Sequence, residues 1–94
     1  MLFMVIEHFR DARAVHQRFV KHGRMLPDGV TYCASWVEPV RRRCFQLMDA
    51  EDVNALQPWI ARWADLVDFD VVPVVESSTY WAAVAPEDGQ VDLS

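Results

Sequence analysis

Residues 1–9, MLFMVIEHF, carry apolar side chains at nearly every position, and no helix-capping residue precedes Asp11. A run this short and this apolar predicts a buried strand. From Asp11 the period lengthens. Ala12, Val15 and Phe19, joined by His16, share one side of a helix, while Arg13, Gln17, Arg18 and Lys21 share the other. That spacing predicts an amphipathic helix capped by Asp11 and stopped at Gly23, with His22 in its last turn.

Pro27, Asp28 and Gly29 then stand in the order a tight turn prefers. The runs Val30 to Glu38 and Arg43 to Asp49 are rich in β-branched and aromatic residues, and the short basic segment between them makes an antiparallel hairpin with a loop longer than two residues. Further on, Leu56, Trp59, Ile60, Trp63, Leu66 and Val67 form an apolar helical stripe, with Asp52 or Asn54 available as its cap. Pro58 interrupts it. A proline has no backbone N–H, so either the helix kinks near Asn54 or its regular part begins at Pro58. The run Asp68 to Glu76 reads as a last strand, and Pro73 implies that one side of its ladder is free there, or that it bulges. A short helix over Ser78 to Val84 and a polar tail from Pro86 complete the chain.

The order strand, helix, strand, strand, helix, strand over residues 2–76 predicts an α+β domain of the ferredoxin-like βαββαβ type. Four antiparallel strands would carry both helices on one face, with residues 1–78 forming the domain and 79–94 a C-terminal extension. The uncovered face is not polar. Alternation sets Tyr32, Ala34 and Trp36 against Cys33, Ser35 and Val37, and Phe45 and Leu47 against Cys44, Gln46 and Met48. The first strand divides alike, Phe3, Val5 and Glu7 against Met4, Ile6 and His8. Both faces are substantially apolar, so a second copy of the sheet is the economical cover, and a homodimer through the sheet face is expected.

Composition narrows the class. A 52% hydrophobic fraction excludes a disordered chain, and 94 residues make one domain near the size where a partner helps complete the core. The net charge of −5 argues against a nucleic-acid binder. Its distribution is uneven: residues 1–47 hold eight of the nine Lys/Arg and four acids, giving +4, whereas residues 48–94 hold only Arg62 against ten acids, giving −9. Such a split implies basic and acidic elements that face each other or a partner. Cys33 and Cys44 read as buried thiols of a reducing compartment. No cleavable leader pattern or membrane-length apolar run is evident, so the expected location is cytoplasmic, without membrane association.

Candidate chemistry is sparse. His8, at the end of the first strand, is the candidate general base or proton shuttle, against the plainer reading of a strand-end histidine. His16 and His22 do not share a helical face and join no Cys or carboxylate at ligand spacing, so neither a metal nor a cofactor is expected. Trp59 and Trp63 belong first to the core, although Trp63 also suits a pocket wall. Arg24 lies in a loop where a positioned guanidinium binds carboxylate or phosphate, or else forms a structural ion pair. Gln46 and Ser35 are polar side chains in apolar strands, and either orient a ligand or pair across the hairpin.

The blocks MLFMVIEHF, GRMLPDGVTYCASWVE, RCFQLMD and WIARWADLVDFDVVPV together resemble the small bacterial domain-of-unknown-function 3303 family, over roughly residues 1 to 78. Members of that family look like the dimeric α/β barrel superfamily built on the ferredoxin-like fold. The resemblance implies that fold and a dimer. It implies no single activity, since related families include cofactor-free monooxygenases, haem-degrading enzymes, lactone isomerases and stress-response proteins. Pro58 and the Tyr-Trp segment after Ser78 depart from the family pattern. The expectation is thus a homodimer binding a small molecule in a pocket bounded by His8, Tyr32, Trp36, Gln46 and Trp63. The alternatives are a cofactor-independent oxygenase or isomerase with His8 as base, and a stress or interaction protein that presents its acidic half to a basic partner.

Overall fold

A computed structural model describes residues 1–84. Its strands are β1 (Leu2–Phe9), β2 (Thr31–Glu38), β3 (Arg43–Asp49) and β4 (Val67–Val74), and its helices are α1 (Ala12–His22), α2 (Gln57–Trp63) and α3 (Ser77–Val84). The fold is α+β. The four strands form one antiparallel sheet in the order β2-β3-β1-β4, so the apolar β1 lies inside and pairs on both sides. The expected polar tail from Pro86 lies outside the described residues.

One face of the sheet carries the core. Phe3 and Val5 of β1, Met48 of β3 and Val67 of β4 pack there with Leu56, Trp59 and Trp63. Trp59 is 1% exposed and meets Phe69 of β4 edge-to-face, ring centroids 5.4 Å apart. Such an aromatic pair adds about 0.5–1.5 kcal/mol to the area it buries.

The ends of the helices follow the capping chemistry of the sequence. Asp11 Oδ1 accepts the Ala14 N–H at 3.1 Å to start α1, and Gly23, at φ 68, donates to the Phe19 carbonyl to end it. Asp52, not Asn54, caps the second helical segment, accepting from the Ala55 N–H at 3.1 Å. That segment starts as a 3₁₀ turn over Val53–Leu56, and α-helical geometry begins at Gln57 with Pro58 in the first turn. It also ends earlier than its apolar stripe. The helix stops at Trp63, Leu66 lies in a turn, and Val67 already belongs to β4. Val67 stays buried on the same side because the turn delivers it to the core-facing row of the sheet.

The hairpin departs from simple alternation at one place. Tyr32 pairs with Met48 and Ala34 with Leu47, so Cys33 is an extra residue in β2, a bulge. The bulge moves Tyr32 off the face of Ala34 and Trp36 and onto that of Ser35 and Gln46, correcting the grouping expected from period two. It also leaves Cys33 exposed while Cys44 is buried, so only one thiol fits the expectation that both are buried. Pro73 sits on β4, an edge strand, where the missing N–H faces no neighbour.

Beyond the sheet, Met4, Ile6, Phe45, Leu47, Ala34, Trp36 and Val72 stand in register on the face without helices. Trp36 is 56% exposed there. Basic and acidic halves of the chain meet within it: Arg10 pairs with Asp68, Arg18 bonds both carboxylate oxygens of Asp65 at 2.7 Å, and His8 meets Asp70. No helix among the described residues is long and apolar enough to cross a membrane.

Candidate functional site

α1 is amphipathic, yet none of its residues is buried. Its apolar side overhangs the sheet rather than filling the space beneath. Ala12, Val15, His16 and Phe19 instead roof a cavity of about 280 Å³. Phe9 and Val37 supply apolar floor, and Trp59 and Trp63 of α2 close one wall. Polar groups enter from only a few points: Glu7 of β1, Ser35 of β2, Cys44 and Gln46 of β3, and Arg24 from the loop after α1. Largely apolar walls with a few convergent polar groups are the usual make-up of a small-molecule site.

Glu7 is the most perturbed of these groups. It follows Phe3 and Val5 on the core-facing row of β1 and is 8% exposed. Burial disfavours its charged form and pushes its carboxyl up to about 7, against smaller opposing effects from Gln46, Arg24 and Cys44. Glu7 and Arg24 share the cavity without forming an ion pair among the described residues. Burial likewise pushes the Cys44 thiol up to about 11, aided by the neighbouring Glu7. Cys44 is therefore a protonated, unreactive thiol at neutral pH.

Arg24 is held with unusual firmness for a loop residue. Its guanidinium carbon lies 3.6 Å from the centroid of the Tyr32 ring and 5.2 Å from that of Phe19. Its Nε donates to Gln46 Oε1 at 3.3 Å. Its carbonyl accepts the indole N–H of Trp63 at 3.0 Å, and the next carbonyl, of Met25, accepts from Arg62. These two bonds from α2 hold Met25 at φ 59, a left-handed conformation that costs a non-glycine residue about 1 kcal/mol. Tyr32 in turn is fixed through its hydroxyl, 2.7 Å from Ser35 Oγ.

The sequence-derived candidates thus divide. Arg24, Gln46 and Trp63 line the cavity, and Tyr32 stands behind Arg24 as its stacking platform. His8 and Trp36 lie on the opposite face of the sheet, so the pocket expected from His8, Tyr32, Trp36, Gln46 and Trp63 does not form as one space. His8 is tied up at the rim of that face, its Nε2 3.1 Å from Asp70 Oδ2. Alternation had put His8 and Glu7 on opposite sides, and the helices cover the Glu7 side. Glu7 is not among the candidates that the sequence singles out. Its signal was present as an acid in the Phe3, Val5, Glu7, Phe9 row, where every other member is apolar. The spacing of α1 sets His16 on its apolar side, and that is where it meets the cavity. Among the described residues no group of three His, Cys, Asp or Glu is placed to hold a metal ion.

The family model for a domain of unknown function, DUF3303, matches residues 1–88. The chain belongs to that family. The DUF3303 match takes in every cavity-lining residue from Glu7 to Val67, together with α3. None of the curated proteins and none of the solved structures matches this DUF3303 chain.

Proposed function

We propose that this DUF3303 protein is a small-molecule-binding homodimer of the ferredoxin-like, dimeric α/β barrel type, with its ligand in the cavity between sheet and α1. The observation that carries this reading is the cavity itself. A volume of about 280 Å³ remains open beneath a helix none of whose residues is buried, and Glu7, Gln46 and Arg24 converge on it. In a domain of this size such a void costs packing contacts, which a resident ligand would restore.

The βαββαβ order over residues 2–74 and the placement of β1 and β3 at the sheet centre support the ferredoxin-like assignment. The dimer rests on the helix-free face, where Met4, Ile6, Phe45, Leu47 and Trp36 form an apolar centre. His8, Arg43, Asp68 and Asp70 rim it at one end, the arrangement of an interface. α3, with no buried residue, is free to lie against the second subunit.

The test is a fluorescence titration with a library of small molecules in a Trp36→Phe, Trp81→Phe background, which leaves Trp59 and Trp63 as reporters, against the same protein carrying Val15→Phe, which fills the cavity from its roof. Ligands that shift the emission of the background protein are expected to leave the Val15→Phe variant unchanged while the two circular dichroism spectra match. Equal binding by both proteins would remove the cavity from the reading.

A second reading is an isomerase or cofactor-independent oxygenase. What favours it is a carboxyl pushed up to about 7, the range in which a group both takes and returns a proton. In this reading the base is Glu7 rather than His8. Turnover of any substrate would then fall by at least about 100-fold in Glu7→Gln and stay at wild-type level in His8→Ala. Against the interaction-protein reading, Asp65, Asp68 and Asp70 of the acidic half are engaged with Arg18, Arg10 and His8 of the same chain.

A further inference from the structure

We infer that the cavity is built for a compact apolar monocarboxylate, whose carboxylate bridges the outer guanidinium edge of Arg24 and the carboxyl of Glu7. This inference rests on the cavity reading above and names the chemical class of the ligand.

The argument begins with what Arg24 leaves unused. Of its nitrogens only Nε has a protein partner among the described residues, Gln46 Oε1. Tyr32 fixes the guanidinium plane from one side and Phe19 lies against it as well, so the two Nη groups are oriented but unengaged. A planar fork fixed in this way matches a planar carboxylate through two parallel hydrogen bonds. Lysine at this position would offer neither the plane nor the stacking.

Glu7 supplies the second half of the recognition. An acid and a cation that merely balanced each other would be expected to touch, and Glu7 and Arg24 do not. Gln46 lies between them, bonded to Arg24 and facing Glu7. The gap suits a group that accepts from both sides. A carboxylate accepts from the Nη groups of Arg24 and from the O–H of a protonated Glu7, and the assembly of one cation, one anion and one neutral acid carries no net charge. An amide or alcohol cannot accept at all these points with a full charge, and a phosphate would bring excess negative charge beside Glu7. The walls set the remainder. Phe9, Trp59 and Trp63 are apolar, and the volume admits roughly a dozen non-hydrogen atoms.

Binding is then linked to pH. With its carboxyl at about 7 when the cavity is empty, Glu7 is protonated below about pH 6, and ligand affinity is level there. Above pH 7 binding must take up a proton, and affinity falls toward tenfold per pH unit. The other groups facing Glu7 are His16 from α1, Arg24 from the loop and Cys44 from β3, while α2 and β4 present Trp59, Trp63 and Phe69. Burial keeps the Cys44 thiol protonated across pH 6 to 9, and the experiment separates Glu7 from His16 by substitution.

The experiment is calorimetry with 3-phenylpropionate, 2-naphthoate and their carboxamides as probes, up to millimolar concentration, at pH 6 to 9 and in two buffers of different ionisation enthalpy. The acids are expected to bind at least tenfold more tightly than the amides, with net uptake of about half a proton at pH 7. Glu7→Gln should flatten the decline above pH 7 while keeping the preference for acids. Arg24→Gln should abolish that preference, and Arg24→Lys should recover only part of it. Amides that bind as well as acids would overturn the carboxylate and leave the cavity reading intact. Flattening by His16→Gln instead of Glu7→Gln would overturn the role given to Glu7. If neither acids nor amides bind, the cavity reading falls and this inference with it.

Discussion

At Glu7 a single buried carboxyl links stability to pH independently of any ligand. Its pKa is about 7 in the folded chain and near 4.5 when the chain unfolds, so between those values the folded state holds the extra proton. Stability is therefore fully present below about pH 4.5, declines as pH rises toward 7, and levels off above, a total of roughly 3 kcal/mol. Glu7→Gln carries no titrating group, and urea unfolding should find it close to wild type at pH 5 and more stable at pH 8. A variant less stable than wild type at pH 8 would mean that the charged carboxylate is stabilised in the fold rather than penalised. Trp63 gives a second test at this scale. Trp63→Phe keeps most of the apolar volume but loses the N–H that the Arg24 carbonyl accepts, and should cost about 1–3 kcal/mol by denaturant titration. Because that bond also positions Arg24, ligand affinity should drop further than stability alone accounts for.

Among the elements, caps and periods were legible because they depend on residues close in sequence. Asp11, Gly23 and Asp52 occupy the ends that their side chains and backbone freedom favour, and Pro58 sits in the first turn where its missing N–H does no harm. Asp52→Ala should accordingly cost about 1 kcal/mol, measured by thermal unfolding, since it frees the Ala55 N–H at the entry to the second helical segment. What escaped sequence reasoning depends on pairing across strands. The bulge at Cys33 is a matter of two strands in register, and without it Tyr32 falls on the wrong face and the platform under Arg24 is lost from view. The position of the cavity escaped for a similar reason: the apolar row Ala12, Val15, Phe19 reads as a packed helix face whether or not a neighbour fills the space below. His8 and Glu7 were separable by alternation, but nothing local says which row the helices will cover.

For the whole molecule, part of the uneven charge along the chain is matched internally, where Arg18, Arg10 and His8 meet Asp65, Asp68 and Asp70 in and just before β4. The apolar helix-free face is not resolved internally, and the proposed dimer places it out of water. Leu47→Lys, at the centre of that face, should turn a dimer into a monomer in sedimentation experiments at micromolar concentration while the circular dichroism spectrum is retained. A wild-type protein that sediments as a monomer would sink the dimer. The edges of the sheet limit how any such association can grow. β2 is kinked by its bulge and β4 carries Pro73, so neither outer strand offers a straight, complete row of backbone donors and acceptors. Lateral addition of further strands, the route to fibrils, is hindered at both ends. If the proposed dimer forms, these edges keep it a closed pair, and destroying the bulge by deleting Cys33 is expected to raise ribbon-like aggregation, read by thioflavin fluorescence at high protein concentration.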